Sequence, residues 1–282
     1  MLYQQRRKVD DPNECYFYHR TGLPELETLK SDWDISDCVD QYLGEIDYDG
    51  KRVLDIGTAS GYLTFEMEKR GADVVSFDMP SSGNWDNVPH FELHKDLEQR
   101  LERRAKAQTK LQNAYWYLHN KLDSTAKVYY GDVYNLPAEL GNFDTVFLGM
   151  ILGHLRDPFQ AIYSASRLSK HRIVITNQAK EPVKPGIKGM INRLRRIKKK
   201  PPMAQFMPTK ENPTDASWWA LSTECLEAML GTVGFKVVSS TRSEPKCLVD
   251  NRIGKEHCVT IVADRFAGAA VGIEANTETA AA

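Results

Sequence analysis

A chain of 282 residues is long enough for one large α/β domain with insertions, or for a domain with a small cap. Apolar residues make up 41% and charged residues 27%, which is an ordinary globular composition. The formal net charge of −1 excludes a chain-wide polyelectrolyte, so nucleic-acid binding would have to come from a local patch.

The cysteines and the apolar runs indicate the compartment. The five cysteines are odd in number and widely spaced, and no Cys-x-x-Cys pair occurs. This pattern favours free thiols in a reducing compartment over a disulfide framework or a zinc site. No apolar run approaches the roughly 18 residues of a membrane span, and the first residues lack the apolar core of a signal peptide. We therefore expect a soluble, cytoplasmic protein without a membrane partner.

The predicted elements begin with an N-terminal helical cap at 1–50. Apolar runs of strand length then alternate with helical periodicity, the pattern of a parallel sheet covered on both faces. Predicted strands lie at 52–56, 73–77, 126–130, 144–149, 172–176, 235–241 and 257–264, and predicted helices near 61–70, 97–122, 158–169 and 222–233. The last two strands are joined by too few residues for a crossover helix, so we expect an antiparallel pair.

These elements predict an α/β fold, doubly wound around a mostly parallel seven-stranded sheet with an antiparallel last strand. The core domain should cover 51–266 and carry a basic lid insertion at 177–217. A disordered tail should follow at 267–282, because its residues are small and polar. In the third predicted helix, the apolar side chains on the expected sheet-packing face are Leu111, Ala114, Tyr115, Leu118 and Leu122.

The stretch from Arg52 to Asp78 contains a glycine-rich turn between two strands that each end near an acid. Asp55 closes the first strand, Gly57 to Gly61 form the turn, and Asp78 closes the second strand. Ligands of open parallel sheets bind beyond the carboxyl ends of the strands. Glycine permits a close backbone approach there, and Asp78 is placed to accept both hydroxyl groups of a ribose.

Two cofactor classes use this layout, and the residues favour one of them. Dinucleotide sites require G-x-G-x-x-G, whereas "GTASGY" has Ala59 and Tyr62 where two of the glycines would be. The carboxylate of Asp55 suits a cationic aminoacyl group better than a pyrophosphate, which it would repel. S-adenosylmethionine combines such a group with ribose and adenine, and it is the predicted cofactor.

Four segments resemble the successive motifs of class I S-adenosylmethionine-dependent methyltransferases, over about residues 50–265. They are "VLDIGTASG" (53–61), "FD" (77–78), "GDVYNLP" (131–137) and "FDTVFLGMILGHLRDP" (143–158). The first region is more narrowly similar to the branch that contains the tRNA wobble-uridine carboxymethyltransferase and many small-molecule methyltransferases. Ala59 departs from the usual middle glycine. The resemblance implies a Rossmann-like fold.

The resemblance also implies roles for individual residues. The methionine end should lie on Asp55, Gly57 and Gly61, and the ribose on Asp78. Asp132 should accept a hydrogen bond from the adenine amino group, with Met79 and Val133 on either side of the ring. The complete predicted cofactor set is Asp55, Gly57, Thr58, Gly61, Asp78, Met79, Asp132, Val133 and Gly149. The structural alternatives are a turn-capping acid at Asp55 and a helix N-cap at Asp132.

Catalysis of methyl transfer requires alignment and exclusion of water, with a base where the acceptor carries a proton. His154, just past the fourth strand, is the predicted base; the alternative is a histidine that caps the next helix or packs under the lid. His90 and His94 are four residues apart and could share a metal if helical. No third ligand is evident, so we expect no metal.

The run from Lys184 to Lys200 contains eight Lys or Arg residues and no acid. It is either a solvated loop, a lid that holds an anionic acceptor through Arg193, Arg195 or Arg196, or a strip that contacts RNA phosphates. The aromatic residues Tyr16, Tyr18, Trp218 and Trp219 are further candidates for acceptor binding, since they suit a cationic or apolar group. Their alternative role is to pack the cap onto the sheet.

The sequence therefore predicts an S-adenosylmethionine-dependent methyltransferase for a small, anionic metabolite, with oxygen, nitrogen or sulfur as the acceptor atom. The alternative is a tRNA base-modifying (carboxy)methyltransferase, which the basic run favours and the net charge disfavours. A cofactor-binding regulator without catalysis is a third interpretation, and the presence of all four motifs argues for an enzyme.

Overall fold

Strands and helices follow the predicted order in the computed structural model, which describes residues 2–82, 86–179, 200–214, 216–249 and 252–268. The strands are β1 Trp33–Asp34, β2 Arg52–Ile56, β3 Asp73–Asp78, β4 Lys127–Tyr130, β5 Phe143–Gly149, β6 Ser169–Gln178, β7 Ala204–Phe206, β8 Trp219–Leu221, β9 Phe235–Ser243, β10 Lys246–Val249, β11 Arg252–Lys255 and β12 Cys258–Arg265. The α-helices are α1 Val39–Tyr42, α2 Tyr62–Lys69, α3 Leu97–Lys121, α4 Pro158–Leu168 and α5 Thr223–Thr232. Within the described ranges, no helix is both long and apolar enough to cross a membrane.

The central sheet has the spatial order β4-β3-β2-β5-β6-β12-β9. Strand β2 pairs parallel with β3 on one side and with β5 on the other, and β4 and β6 continue the parallel arrangement. Strand β12 runs antiparallel between β6 and β9. The predicted doubly wound sheet with its antiparallel last strand is confirmed. Its connections change direction between β2 and β5, which is where such folds bind ligands.

The two faces of the sheet are covered by different helices, because side chains alternate along each strand. Leu54 and Ile56 of β2 belong to the core cluster that includes residues of α4 and α5. Val53 belongs to the cluster that includes residues of α1 and α2. All three side chains are at most 1% exposed. Burial on both faces explains why the strand is a nearly continuous apolar run.

Helix α3 buries its predicted face, although not over its whole length. Ala114, Tyr115 and Leu118 are at most 1% exposed, whereas Leu122 lies just past the last helical residue and is 47% exposed. The sequence-based face was therefore too long at its carboxyl end. Frayed helix ends have no neighbouring turn to hold a side chain against the core.

The N-terminal segment is less helical than predicted. Among the described residues before position 50, Val39–Tyr42 is the one α-helix, and the rest consists of short 3-10 turns and extended chain. The extended part lies along α3, where Tyr16 N–H donates to the Lys110 carbonyl at 2.9 Å and the Phe17 and Tyr117 ring centroids are 5.7 Å apart. The segment thus covers α3 and brings its aromatic residues to the ligand-binding edge of the sheet.

Two hairpins lie outside the central sheet. Strands β10 and β11 form a hairpin that pairs with β1, in the connection where the sequence predicted only a turn. Strands β7 and β8 form the second hairpin; β7 lies within the predicted lid insertion, and β8 begins just after its predicted end at residue 217. Residues 180–199 of that insertion and residues 269–282 of the predicted tail lie outside the described residues.

Candidate functional site

A cavity of about 890 Å³ lies at the carboxyl edge of the parallel strands. This volume is near the upper end of the range of about 300–1,000 Å³ for ligand pockets. Among its lining residues are six of the predicted cofactor residues, the predicted base and two predicted acceptor residues: Gly57, Asp78, Met79, Asp132, Val133, Gly149, His154, Tyr16 and Tyr18. One cavity therefore brings together most of the predicted site.

The glycine-rich turn between β2 and α2 requires left-handed backbone at three positions. Gly57 and Gly61 have φ angles of +83° and +87°, and Ala59 has φ +52°. A Cβ atom added at Gly57 would overlap the Cγ2 atom of Ile151, a side chain that also lines the cavity. Gly57 is thus required by both conformation and space. Ala59 keeps the left-handed turn although it lacks the usual glycine, at a cost of roughly 1 kcal/mol.

Asp78 is held in place by backbone donors from two segments. Its Oδ2 atom accepts from Ala59 N–H at 2.8 Å, and its Oδ1 atom accepts from Met79 N–H at 2.7 Å. Burial raises the pKa of the Asp78 carboxyl, and these hydrogen bonds oppose that shift. A carboxylate has about four acceptor positions, and Gln108 Nε2 occupies a third one on Oδ1, so the remaining position lies on Oδ2. A ribose hydroxyl of a ligand can therefore donate to Oδ2.

Helix α3 contributes two residues that the sequence analysis missed. Gln108 Nε2 donates to Asp78 Oδ1 and to the Met79 carbonyl, both at 3.2 Å, and Gln112 Nε2 donates to the same carbonyl at 3.1 Å. The two amides fix the chain where it leaves β3. The two glutamines are four residues apart and lie beside the apolar face of α3, and this spacing could have predicted that both are buried. Buried amides need hydrogen-bond partners, which the chain after β3 provides.

Asp55 lies beneath the turn, and it is not among the described residues that line the cavity. It is 1% exposed and accepts from the Thr64 hydroxyl at 2.6 Å. That hydroxyl also lies 2.7 Å from the Thr58 hydroxyl and 2.8 Å from the Ser76 hydroxyl, which form a buried network. Burial raises the pKa of Asp55 to about 6, and the nearby charge of Asp78 adds to the shift. Thr58 and Gly61 are also buried, and neither is among the described residues that line the cavity.

Asp132 acts as an N-cap and also lines the cavity wall. Its Oδ1 atom accepts from Tyr134 N–H at 2.9 Å, at the start of the 3-10 turn Val133–Asn135. Val133 and Met79 line the same region. The capping bond uses one acceptor position of the carboxylate, which leaves others for a ligand amino group.

His154 lies at the end of a 3-10 turn that follows β5, and it lines the cavity. Its Nδ1 atom is 2.7 Å from the carbonyl oxygen of Ala216. A carbonyl can only accept, so Nδ1 carries a proton, and in the neutral form of the ring the lone pair lies on Nε2. This is the tautomer that a general base requires.

Trp218 and Trp219 anchor the β7–β8 hairpin. Trp218 Nε1 donates to the Asp86 carbonyl at 2.6 Å, and Trp219 Nε1 donates to the Arg156 carbonyl at 3.0 Å. Neither tryptophan is among the described residues that line the cavity. The structure therefore does not bring this pair into the predicted acceptor site. Arg193, Arg195 and Arg196 lie outside the described residues.

Asp86 is a cavity residue that no sequence motif marks. Its carboxylate accepts from the Tyr134 hydroxyl and, at 2.8 Å, from Arg156 N–H. Asp86 thus connects the loop after β3 with the loop after β5 and with Trp218. No sequence pattern predicts its role, because its partners come from distant parts of the chain.

An aromatic wall, formed by Tyr16, Tyr18, Trp33 and Tyr42, lines the side of the cavity next to the N-terminal segment. The Tyr16 and Tyr18 rings meet edge to face with centroids 6.2 Å apart. The Tyr16 hydroxyl donates to the Asp32 carboxylate, and burial raises the pKa of this phenol. Since that hydroxyl is already bonded, Tyr16 presents mainly its ring to a ligand.

Of the two histidines considered as metal ligands, His90 has a described side chain, and that of His94 lies outside the described residues. His90 Nε2 lies 2.8 Å from the Thr209 carbonyl and ties the 200–214 segment to the body. The described residues contain no group of three or more His, Cys, Asp or Glu side chains that could hold a metal ion.

Residues 34–240 match the model of a methyltransferase domain family, and the chain belongs to this family. The match covers the glycine-rich turn, the two strand-end acids and His154. It confirms the resemblance, the enzyme class and, as the cofactor of that class, S-adenosylmethionine.

Known relatives have different acceptors. Over 163 residues the chain is 25% identical to a ubiquinone biosynthesis O-methyltransferase of Psychrobacter cryohalolentis, covering 54% of each chain. Over 143 residues it is 29% identical to a tRNA U34 carboxymethyltransferase of Pseudomonas fluorescens, covering 51% of this chain and 36% of that one. The chain thus spans about half or less of the length of these curated relatives. Magnesium protoporphyrin IX methyltransferase of Synechocystis, solved with bound S-adenosylhomocysteine, is similar with a TM-score of 0.46 and 14% identity, covering 82% of each chain.

Proposed function

We propose that the protein transfers the methyl group of S-adenosylmethionine to a small molecule. The observation that carries this proposal is the single cavity that is lined by Asp78, Asp132, His154 and the aromatic wall. Its volume of about 890 Å³ accommodates a cofactor and an acceptor side by side.

The donor and acceptor groups of the cavity fit this cofactor. Asp78 would accept from the ribose hydroxyls, and Asp132 from the adenine amino group. Gly57 lines the cavity without a side chain, which suits close approach of the aminoacyl end to the backbone of the turn. When bound, the cofactor supplies an activated methyl group on a sulfonium. The protein aligns the acceptor and excludes water.

His154 is proposed to remove a proton from the acceptor where the acceptor carries one. Its Nε2 lone pair is available because Nδ1–H is bonded to the Ala216 carbonyl at 2.7 Å. The same hydrogen bond would stabilise the imidazolium after proton transfer, since the carbonyl dipole points its negative end at the ring.

The acceptor end of the cavity supports a flat or apolar acceptor, because Tyr16, Tyr18 and Trp33 present rings there. The ubiquinone biosynthesis relative is an O-methyltransferase by its name, which agrees with oxygen as one of the predicted acceptor atoms. An anionic group on the acceptor remains a prediction that depends on Arg193, Arg195 and Arg196. The cytoplasmic location likewise remains a prediction.

A tRNA substrate is the second candidate. The 29% identity with a tRNA U34 carboxymethyltransferase and the basic run at 184–200 favour it. We place it second, because the aromatic wall lies inside a cavity of about 890 Å³ that is sized for small ligands.

Calorimetric titration with S-adenosylhomocysteine, followed by methyl transfer to a panel of phenols, amines and thiols, tests the proposal. We expect binding at micromolar or lower concentration and transfer to at least one aromatic acceptor. Bulk tRNA serves as the competing substrate in the same assay. Transfer to tRNA without transfer to any small molecule would reverse the order of the two candidates.

A further inference from the structure

His19 is a buried, titratable residue that the proposed chemistry does not use. It is 7% exposed, it lines the cavity, and its Nδ1 atom is buried without a hydrogen-bond partner among the described residues. A buried polar atom without a partner is rare in folded proteins and asks for an explanation.

The position of His19 is set by the glycine-rich turn. Its backbone N–H donates to the Ser60 hydroxyl at 3.4 Å, and its ring centroid lies 5.8 Å from that of Tyr62, the first residue of α2. Ser60 and Tyr62 flank Gly61, so the imidazole lies at the turn. The ribose and adenine residues Asp78 and Asp132 come from β3 and from the chain after β4.

The ring is neutral, since burial lowers the pKa of His19 to about 4. Because Nδ1 is inaccessible, Nε2 is the nitrogen through which the ring can meet a ligand in the cavity. An N–H group on Nε2 leaves Nδ1 as a bare lone pair, which costs less when unpartnered than a buried N–H group. The ring then presents a donor and no charge.

Resting on the proposed function, we infer that His19 is a cofactor-binding residue whose Nε2–H donates to the carboxylate of the aminoacyl end. That end belongs at the glycine-rich turn, where Asp55 lies beneath the backbone and repels a carboxylate placed deeper. A donor above the turn therefore selects the orientation in which the carboxylate faces the N-terminal segment. The segment thereby becomes part of the cofactor site.

Two ligands that differ only at the aminoacyl end isolate this contact. S-adenosylhomocysteine carries the carboxylate, whereas 5′-methylthioadenosine keeps the adenosine and the thioether sulfur and lacks it. In His19→Phe, we expect S-adenosylhomocysteine to bind about 10- to 100-fold more weakly, as for loss of a hydrogen bond to a charged group. Binding of 5′-methylthioadenosine should change by less than about twofold, because none of its atoms reaches this donor.

The glutamine variant serves as a rescue. In His19→Gln the amide nitrogen replaces Nε2, and binding of S-adenosylhomocysteine should recover to within about fivefold of the parent. Tyr62→Phe is the matched control, since Tyr62 is the ring next to His19 but does not itself line the cavity. Thermal unfolding of each variant separates a folding defect from a binding defect.

If His19→Phe does not fold, the unmodified protein gives the answer. In NMR spectra of the protein with ¹⁵N-labelled histidine, the Nε2 signal of His19 is identified by its absence from the His19→Gln spectrum. S-adenosylhomocysteine should shift this signal, and 5′-methylthioadenosine should leave it in place. Equal loss of both ligands in His19→Phe, or equal shifts, would overturn the inference while the proposed function stands. Failure of the parent to bind either ligand would instead overturn the proposed function, and the inference with it.

Discussion

The Nδ1 atom of His154 lies 2.7 Å from the carbonyl oxygen of Ala216, and this contact joins the predicted base to the segment that leads into the β7–β8 hairpin. Trp218 N–H strengthens the same junction by donating to the Gly153 carbonyl at 2.8 Å. The base and the hairpin are thus positioned together. The sequence analysis allowed two roles for His154, a general base or a residue that packs under the lid. The structure shows the packing contact, and His154 also lines the cavity.

Substitutions at His154 can separate these two roles. In His154→Asn the amide nitrogen replaces Nδ1 and keeps the bond to the Ala216 carbonyl, but no base remains. We expect turnover to fall by about 10²–10⁴-fold for an acceptor that carries a proton. Binding of S-adenosylhomocysteine should be unchanged by calorimetry. His154→Ala should lose the same rate and, in addition, some thermal stability; an unchanged rate in both variants would assign His154 to structure alone.

Asp78 should determine cofactor affinity. Asp78→Ala removes the acceptor of two backbone N–H groups and of the ribose hydroxyls, so binding should weaken by about 1.5–3 kcal/mol. Asp78→Asn keeps the shape and one acceptor oxygen, and its loss should be smaller. Adenosine, which contains the ribose but no aminoacyl end, should show the same loss as S-adenosylhomocysteine. A parent-like affinity in Asp78→Ala would mean that the ribose lies elsewhere.

Gly57 should not tolerate a side chain. Gly57→Val places a branched residue at φ +83° and against Ile151, so we expect loss of cofactor binding together with partial destabilisation. Ile151→Ala removes the clash without changing the φ angle. The double variant Gly57→Ala/Ile151→Ala should therefore bind the cofactor more tightly than Gly57→Ala but more weakly than the parent. Full recovery would show that space alone, and not conformation, requires the glycine.

Stability should depend on pH through Asp55. Because burial raises the pKa of Asp55 from 3.8 to about 6 in the folded protein, the native state binds the proton more tightly than the unfolded chain. The contribution is favourable below the unfolded pKa and is lost as the pH rises through the folded pKa. Above about pH 6 the ionised carboxyl costs roughly 3 kcal/mol, from about 1.4 kcal/mol per pK unit. Asp55→Asn removes this dependence.

Urea unfolding of the parent and of Asp55→Asn at several pH values between 4 and 8 measures the effect. We expect the variant to gain stability relative to the parent as the pH rises from 4 to 6, with a constant difference above that range. A difference that does not change with pH would show that the carboxyl has an ordinary pKa in the folded state.

The strand ends could be predicted because a parallel sheet buries both faces of its strands. Leu54, Ile56 and Val146 are at most 1% exposed, so each strand reads as an apolar run whose end marks the ligand edge. Motif order then identified Asp78 and Asp132, which line the cavity. These features depend on local pattern and on a fold-wide rule about where ligands bind.

Residues fixed by long-range contacts could not be predicted in this way. Trp218 was expected at the acceptor, but its indole N–H is used by the carbonyl of Asp86, 132 positions away in the chain. His19 became visible as a candidate only when the extended N-terminal segment was seen to cross the glycine-rich turn. Periodicity carries no information on such contacts, because they join residues that are far apart in the chain.

The basic run at 184–200 decides between a small acceptor and tRNA. If it clamps a small anionic acceptor, one or two of Arg193, Arg195 and Arg196 should dominate, since a planar guanidinium binds an oxyanion in a bidentate manner. Alanine substitution of the dominant arginine should then raise the Michaelis constant for the acceptor at least tenfold. The Lys198→Ala/Lys199→Ala double variant is the matched control and should behave as the parent.

If the run follows an RNA backbone, the losses of affinity should be shared evenly among the Lys and Arg residues. Binding of bulk tRNA should then weaken steeply with added salt, as counterion release requires. Submicromolar, salt-sensitive binding of tRNA by the parent, with equal losses in the arginine and lysine variants, would make tRNA the substrate.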